Sequence, residues 1–139
     1  MGTNAHVRLK VTANNFSPSG LRVAGMGANA GQLTVYMTGA SSSIGGNSTV
    51  DSGNAANFTY YGLPSNTSIT YGGNSSFVGV IYAPSADLTL NGGGNNVGLI
   101  GASTTKTVRM NGHYDFHFDE NLLNVSPSRG YLMNSWTEL

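Results

Sequence analysis

The sequence contains no cysteine among its 139 residues. This excludes disulfide bridges and every metal site that needs thiolate ligands. It leaves the cellular compartment open, because bacterial surface proteins often lack cysteine. The chain also has no apolar run near the ~18 residues that a membrane-spanning helix needs, so we expect no membrane insertion by this chain.

Charged residues are scarce as well. They make up 9% of the chain, against about 25% in an average soluble protein. Six lysines and arginines balance six aspartates and glutamates, which leaves a net charge of zero. The basic residues are scattered along the sequence, so the composition predicts no nucleic-acid partner, which would need a clustered basic surface.

Glycine, asparagine, serine and threonine replace the missing charges, with glycine alone at 20 residues. Such a composition also occurs in disordered low-complexity segments. In this chain, however, short runs of β-branched, aromatic and other apolar residues recur between the glycine and asparagine clusters, which is typical of strands and their turns. The sequence therefore predicts one folded domain.

Residues 68–120 contain a repeat. Each of three units has a short β-type run, a corner rich in glycine and asparagine, a second β-type run and another corner. Ile69, Leu88 and Val108 occupy equivalent positions and lie 19 and 20 residues apart. A period near 20 residues with a strand on each side is typical of a solenoid, whose units must stack to bury an apolar face. We expect these three side chains to form one column of the core.

The spacing predicts a second column and an upstream extension. Phe77, Val97 and Tyr114 would form the second column, and Phe58 lies 19 residues before Phe77. Asparagine at the corners fits this arrangement, because it tolerates left-handed backbone conformations. Stacked asparagines can also form hydrogen-bonded ladders between coils.

These observations predict an all-β fold: a small single-domain parallel β-helix (solenoid) of roughly four coils, about 19–20 residues each, with capped ends. Residues 1–32 would form an N-terminal cap or first coil, residues 33–118 the stacked coils, and residues 119–139 a C-terminal cap. Caps are expected because an open solenoid end exposes unpaired backbone and apolar side chains. Asp119 is the predicted N-cap of one short helical turn.

The densest polar cluster is the segment 113–120. If it forms a strand, His113, Asp115, His117 and Asp119 share one face and the aromatic residues between them share the other. Imidazoles and carboxylates together suit a divalent ion, and a His/Asp pair could serve catalysis. We prefer the simpler interpretation, an amphipathic last strand with its aromatic residues in the core. We therefore expect no metal, no cofactor and no catalytic residue, and these four residues are the candidates if a metal binds.

Two other residue types are candidates for binding. Threonines raise an ice-binding interpretation, which needs a flat array of Thr-x-Thr, and only Thr105-Lys106-Thr107 has that form within one run. Tyrosines in the predicted strands could stack on sugars, although ladders on the solenoid wall are the interpretation that we favour. The tyrosines are Tyr36, Tyr60, Tyr61, Tyr71 and Tyr82.

Several motifs, most of them in the second half of the chain, are shared with a known family. They are Phe77-Val78-Gly79-Val80-Ile81-Tyr82-Ala83-Pro84, Leu88-Thr89-Leu90 with Gly92, Gly98-Leu99-Ile100, His117-x-Asp119-Glu120 and Ser135-Trp136-x-Glu138-Leu139. On these residues the chain resembles an uncharacterised C-terminal β-solenoid domain of bacterial secreted and surface proteins. Some of those proteins carry an N-terminal segment similar to the PilX class of minor pilins. Bactofilins are a more distant likeness, in architecture alone.

The resemblance implies export and a surface setting, with no established activity. We expect a non-enzymatic structural or adhesive module of an exported bacterial cell-surface protein, extracellular or at the cell surface and part of a longer precursor. Its partners would be surface glycans or other surface-protein subunits, and the domain itself a monomer or small homo-oligomer.

The alternative is a carbohydrate-binding or carbohydrate-cleaving β-helix, and ice binding is a weaker one. Cleavage needs a cleft with clustered acids. Apart from Asp51 and Asp87, the acids of this chain lie at or beyond Asp115, which argues against a cleft in the middle of a wall.

Overall fold

The structure, a computed structural model, describes residues 5–18, 21–23, 30–46, 54–73, 76–92 and 98–124. The strands are β1 (His6–Val11), β2 (Asn15–Phe16), β3 (Gln32–Met37), β4 (Ser41–Gly46), β5 (Phe58–Gly62), β6 (Ser68–Gly73), β7 (Phe77–Gly92), β8 (Gly98–Asn111) and β9 (Asp115–Phe118). Two 3-10 helices span Ala55–Asn57 and Glu120–Asn124. In this described part, the chain forms no α-helix and no helix of the length and apolarity that a membrane span requires.

All strand pairings are parallel, and each joins a strand to one that lies a full turn away along the chain. The strands form two walls. The first wall contains β1, β3, β5, residues 77–83 of β7, residues 98–105 of β8, and β9. The second wall contains β2, β4, β6, residues 87–92 of β7 and residues 107–111 of β8.

The long strands β7 and β8 belong to both walls because each runs through a corner. Their register shifts between Ala83 and Asp87, which marks the corner in β7. Four turns lead from β1 to β8, and β9 adds a short strand at the end of the first wall. The predicted parallel β-solenoid of about four turns is confirmed.

The first predicted core column is confirmed. Ile69 pairs with Leu88, and Leu88 pairs with Val108. Ile69 and Leu88 are buried between the walls, whereas Val108 ends the column and is half exposed. The spacing of 19 and 20 residues therefore reports the register of the second wall from β6 to β8.

The second predicted column, through Val97 and Tyr114, is wrong. Phe77 pairs with Leu99, and Leu99 pairs with Phe116. The later positions are each shifted by two residues, and Val97 lies outside the described residues. A shift of two keeps the same side chains on the inner face, so the apolar alternation could not reveal it.

The upstream turns are also longer than the predicted period. Thr59 pairs with Val80, 21 residues later, so aligning Phe58 with Phe77 was also wrong by two residues. Asn15 pairs with Ser41, which in turn pairs with Ser68, at spacings of 26 and 27 residues. The strands must stay in register to pair, but the connections between them can lengthen freely on the surface.

Aromatic rings from both walls meet in the core. The Phe77 ring packs edge-on against Phe58 on the same wall, at 5.6 Å between centroids, and against Tyr71 on the opposite wall, at 5.5 Å. Gly79 makes room for this cluster, because a Cβ there would collide with the Phe58 ring. Such edge-to-face pairs stabilise a core beyond the area that they bury.

We predict that Leu88→Asp strongly destabilises the domain, because it places a carboxylate between buried neighbours in the second wall. The loss should reach at least the range of about 2–5 kcal/mol that is typical of Leu→Ala in a core. Thr89→Asp is the matched control, since Thr89 lies on the outer face in register with Arg109. Urea unfolding of both variants checks this, and equal stabilities would contradict the assigned inner face.

Candidate functional site

Three tyrosines form a column on the outer face of the first wall. Tyr36 on β3 pairs with Tyr61 on β5, and Tyr61 pairs with Tyr82 on β7. The residues beside Tyr36 in its strand, Val35 and Met37, are buried in the core, so the tyrosines point outward. We call Tyr36, Tyr61 and Tyr82 the outer tyrosine column.

The three rings are not equivalent. Tyr36 and Tyr61 stack face to face, with centroids 5.3 Å apart and planes inclined by 10°. Tyr82 meets Tyr61 edge-on at 6.0 Å and 63°, and it is 48% exposed. The stacked pair therefore covers its own inner ring faces, and Tyr82 is the ring most available to an external ligand.

The other two tyrosines of the predicted set are not available for binding. Tyr60 and Tyr71 are buried in the core. Tyr60 donates its hydroxyl proton to Asn66 Oδ1 at 3.0 Å, so the Ser42 hydroxyl, 2.5 Å away, must donate to the Tyr60 oxygen. This contact links β5 on the first wall to β4 on the second.

Asn66 completes a buried polar network that the sequence did not reveal. Its side-chain amide donates to the carbonyl oxygens of Gly39 and Ala40, at 3.1 Å and 3.3 Å, in the corner one turn earlier. Asn66 is fully buried. The presence of asparagine near a corner was the available signal, but this residue follows Pro64 and Ser65 rather than a glycine cluster.

Burial changes the acid–base properties of the inner tyrosines. Desolvation raises the pKa of Tyr60 to about 12, although its hydrogen bonds to Ser42 and Asn66 oppose the rise. Desolvation likewise raises the pKa of Tyr71 to about 12. The pKa of Tyr114 is raised further, by burial and by the neighbouring Tyr71. Among the described residues, the buried Tyr114 hydroxyl has no hydrogen-bond partner.

The candidate metal segment does not lie on one strand face. Strand β9 holds only Asp115 and His117, in register with Gly98 and Ile100, whereas His113 precedes it and Asp119 follows it. Within the described ranges, no three His, Asp or Glu side chains come together as a metal site would require. That the domain needs no metal stays a prediction.

Asp119 has a structural role on two sides. Its Oδ1 accepts from the Asn121 backbone N–H at 3.0 Å, which confirms the predicted N-cap of the Glu120–Asn124 helix. Its Oδ2 accepts from the Ala55 N–H at 3.2 Å, so the same carboxylate also fastens the first 3-10 helix. The carboxylate therefore joins two segments that lie 64 residues apart.

The second wall carries ladders of polar side chains on its outer face. Asn111 Nδ2 donates to Asn91 Oδ1 at 2.8 Å, so the predicted asparagine ladder is confirmed there. The Thr107 hydroxyl donates to Asp87 Oδ1 at 2.7 Å in the same two coils. These bonds hold each polar group against its counterpart one coil away.

The threonines form no flat array in the part of the chain that the structure describes. Thr105 pairs with Ala83 on the first wall and Thr107 with Asp87 on the second, so the one Thr-x-Thr run turns a corner. The geometry that would favour ice binding is therefore missing from that run.

One family model matches the chain. It is the Domain of unknown function (DUF7305), and it matches residues 4–125. The chain belongs to the DUF7305 family. The match extends over both walls of this DUF7305 domain, from β1 to the Glu120–Asn124 helix.

No curated protein and no solved structure matched the DUF7305 domain. The solenoid part of the predicted resemblance is confirmed. Export, a PilX-like segment and the likeness to bactofilins stay predictions. The calls on Gly130–Trp136 and on most of the C-terminal cap fall outside the described residues.

We predict that the DUF7305 domain loses stability at alkaline pH through its buried tyrosines. Folding raises the pKa of Tyr60 and Tyr71 from 10.0 to about 12, so the folded state holds these protons more tightly. Their stabilising contribution is complete below pH ~10 and is lost as the pH rises through about 12.

Tyr60→Phe separates this effect from the hydrogen bonds. At neutral pH the variant should lose about 1–3 kcal/mol, because Ser42 and Asn66 each lose a buried partner. Between neutral and strongly alkaline pH it should lose less stability than the parent. Urea unfolding across the pH series measures both, and an unchanged alkaline loss in Tyr60→Phe would show that Tyr60 does not contribute.

Proposed function

We propose that the DUF7305 domain is a non-enzymatic structural or adhesive module of an exported bacterial cell-surface protein. The observation that carries the proposal is the use of polar side chains to join coils. Asn91 and Asp87 bond to their neighbours one coil later, and Asn66 bonds to the corner one turn earlier. An acid–base catalyst must instead be free to exchange a proton with a substrate.

A stack of this kind suits a mechanical role. Each coil contacts only its neighbours, so the stack acts as a short rigid spacer whose stability adds up coil by coil. The side-chain ladders on the second wall and the stacked tyrosines on the first reinforce this direction. The low charge, the absence of cysteine and the resemblance to surface-protein domains support the surface setting.

Protease accessibility on intact cells tests the surface setting. The parent protein, expressed in its own bacterium with an epitope next to this domain, should bind antibody on intact cells. Protease added outside should remove that signal while a cytoplasmic marker survives. An epitope that antibody reaches only after lysis would contradict export.

Carbohydrate binding at the outer tyrosine column is the second candidate function. The observation in its favour is the half-exposed ring of Tyr82 beside the Tyr36–Tyr61 stack. The apolar face of a sugar can pack on such a ring, while the hydroxyl at its tip offers a hydrogen bond.

A glycan array of the domain tests this candidate. If a glycan binds, Tyr82→Ala should weaken it about 5- to 10-fold, in proportion to the loss of about 1 kcal/mol or slightly more from one stacking contact. Thr104→Ala is the matched control, because Thr104 is the next outward residue of the same register. A silent array, or equal loss in both variants, would count against the tyrosine column as a sugar site.

A further inference from the structure

The two ends of the solenoid expose side chains that point toward the core. Along the middle coils, the large apolar side chains on the inner face are buried. At the ends they are not, although their register places them in the same inner columns. The exposed fractions are 38% for Val7, 40% for Leu9, 48% for Val108, 50% for Met110, 43% for Phe116 and 51% for Phe118.

The backbone at these ends is also open on one side. Among the described strands, β1 pairs only with β3, and β9 pairs only with β8. Residues 107–111 of β8 pair only with β7 in the same described part. Such edges present rows of backbone donors and acceptors that can pair with a further parallel strand.

The C-terminal edge is not blocked by the helix that follows β9. Asp119 ties the start of the Glu120–Asn124 helix to Ala55, and the helix packs against the Ala55–Asn57 helix. The Ala55–Asn57 helix itself contacts β3, β5, β7 and β8, so it lies along the side of the stack. The chain after β9 thus turns back along the stack.

The two ends share the same columns, so they match in shape. Val7 and Phe118 terminate one inner column of the first wall, and Phe16 and Val108 terminate one inner column of the second. The first column runs through Val7, Leu33, Phe58, Gly79, Gly101 and Phe118. The second runs through Phe16, Ser42, Ile69, Leu88 and Val108.

The charges on the first wall are divided between the ends. The first 50 residues contain no aspartate or glutamate, and β1 carries Arg8 and Lys10 on its outer side. Asp115 lies on the outer side of β9, and Glu120 follows it. The basic residues near the C-terminal end, Lys106 and Arg109, belong to the corner and to the second wall.

We propose that the N-terminal end of one DUF7305 domain packs on the C-terminal end of a second copy. In this contact β1 of one copy lies beside β9 of the other, the exposed apolar columns join, and Arg8 and Lys10 approach Asp115 and Glu120. The contact is heterologous, so it builds an open end-to-end series rather than a closed dimer. The proposal does not depend on export or on a sugar ligand.

Sedimentation of the full chain across a concentration series tests the contact. The mean mass should rise with concentration beyond that of a dimer. It should fall when salt is raised to 1 M, where the Debye length is only about 3 Å. A full chain that stays monomeric throughout would overturn the proposal and point to residues 125–139 as the segment that covers the C-terminal end.

A charge-swap pair separates this contact from unspecific association. Arg8→Glu/Lys10→Glu makes both ends of the first wall acidic, and Asp115→Lys/Glu120→Lys makes both ends basic. Each variant alone should associate at least about tenfold more weakly than the parent, and an equimolar mixture should recover the parental mass distribution.

The matched control is Ser43→Glu/Thr59→Glu, which adds two charges to outer faces in the middle of the stack. It should associate like the parent. Circular dichroism and melting confirm that each variant is folded before its mass is compared. Swapped variants that associate like the parent, or a mixture that does not recover association, would overturn the proposal.

Discussion

Parallel pairing in register between successive coils is the constraint on which this structure depends. Each strand finds its partner one full turn along the chain, so no strand and its neighbour in sequence can form the sheet by themselves. Once one coil is in register, every inner side chain of the next coil is placed on an existing column. The core, the polar ladders and the outer tyrosine column all follow from that repetition.

The corners supply the second requirement. The chain must change direction between the walls without leaving buried polar groups unpaired. Asn66 solves this at one corner by donating to Gly39 and Ala40 one turn earlier while it accepts from Tyr60. The polar residues that replace charge in this sequence therefore have a structural use, which is why their abundance favours a structural module over a catalyst.

Stacking also creates a problem at the ends, because the first and last coils lack one neighbour. In the described residues, the inner side chains Val7, Val108 and Phe116 are partly exposed for this reason. A second copy matches these ends because repetition makes the two ends of the stack alike in register, while Arg8 and Asp115 make them opposite in charge. The same regularity that forms the core thus defines a surface for association.

The sequence by itself determined the class of fold and the direction of most side chains. Alternating apolar residues and glycine–asparagine corners predicted a parallel solenoid, and the spacing of Ile69, Leu88 and Val108 placed them in one column. Asp119 was recognisable as a helix cap because that role depends on residues next to it in the chain.

Only the tertiary structure decided the register of the first wall and the fate of each tyrosine. A shift of two residues preserves alternation, so Leu99 and Phe116, not Val97 and Tyr114, continue the column of Phe77. Tyr60 and Tyr61 are adjacent in the chain, yet one is buried in a polar network and the other lies in the outer tyrosine column. Local sequence shows that they face opposite ways, but which wall and which neighbours they meet depends on coils that lie about 20 or more residues away.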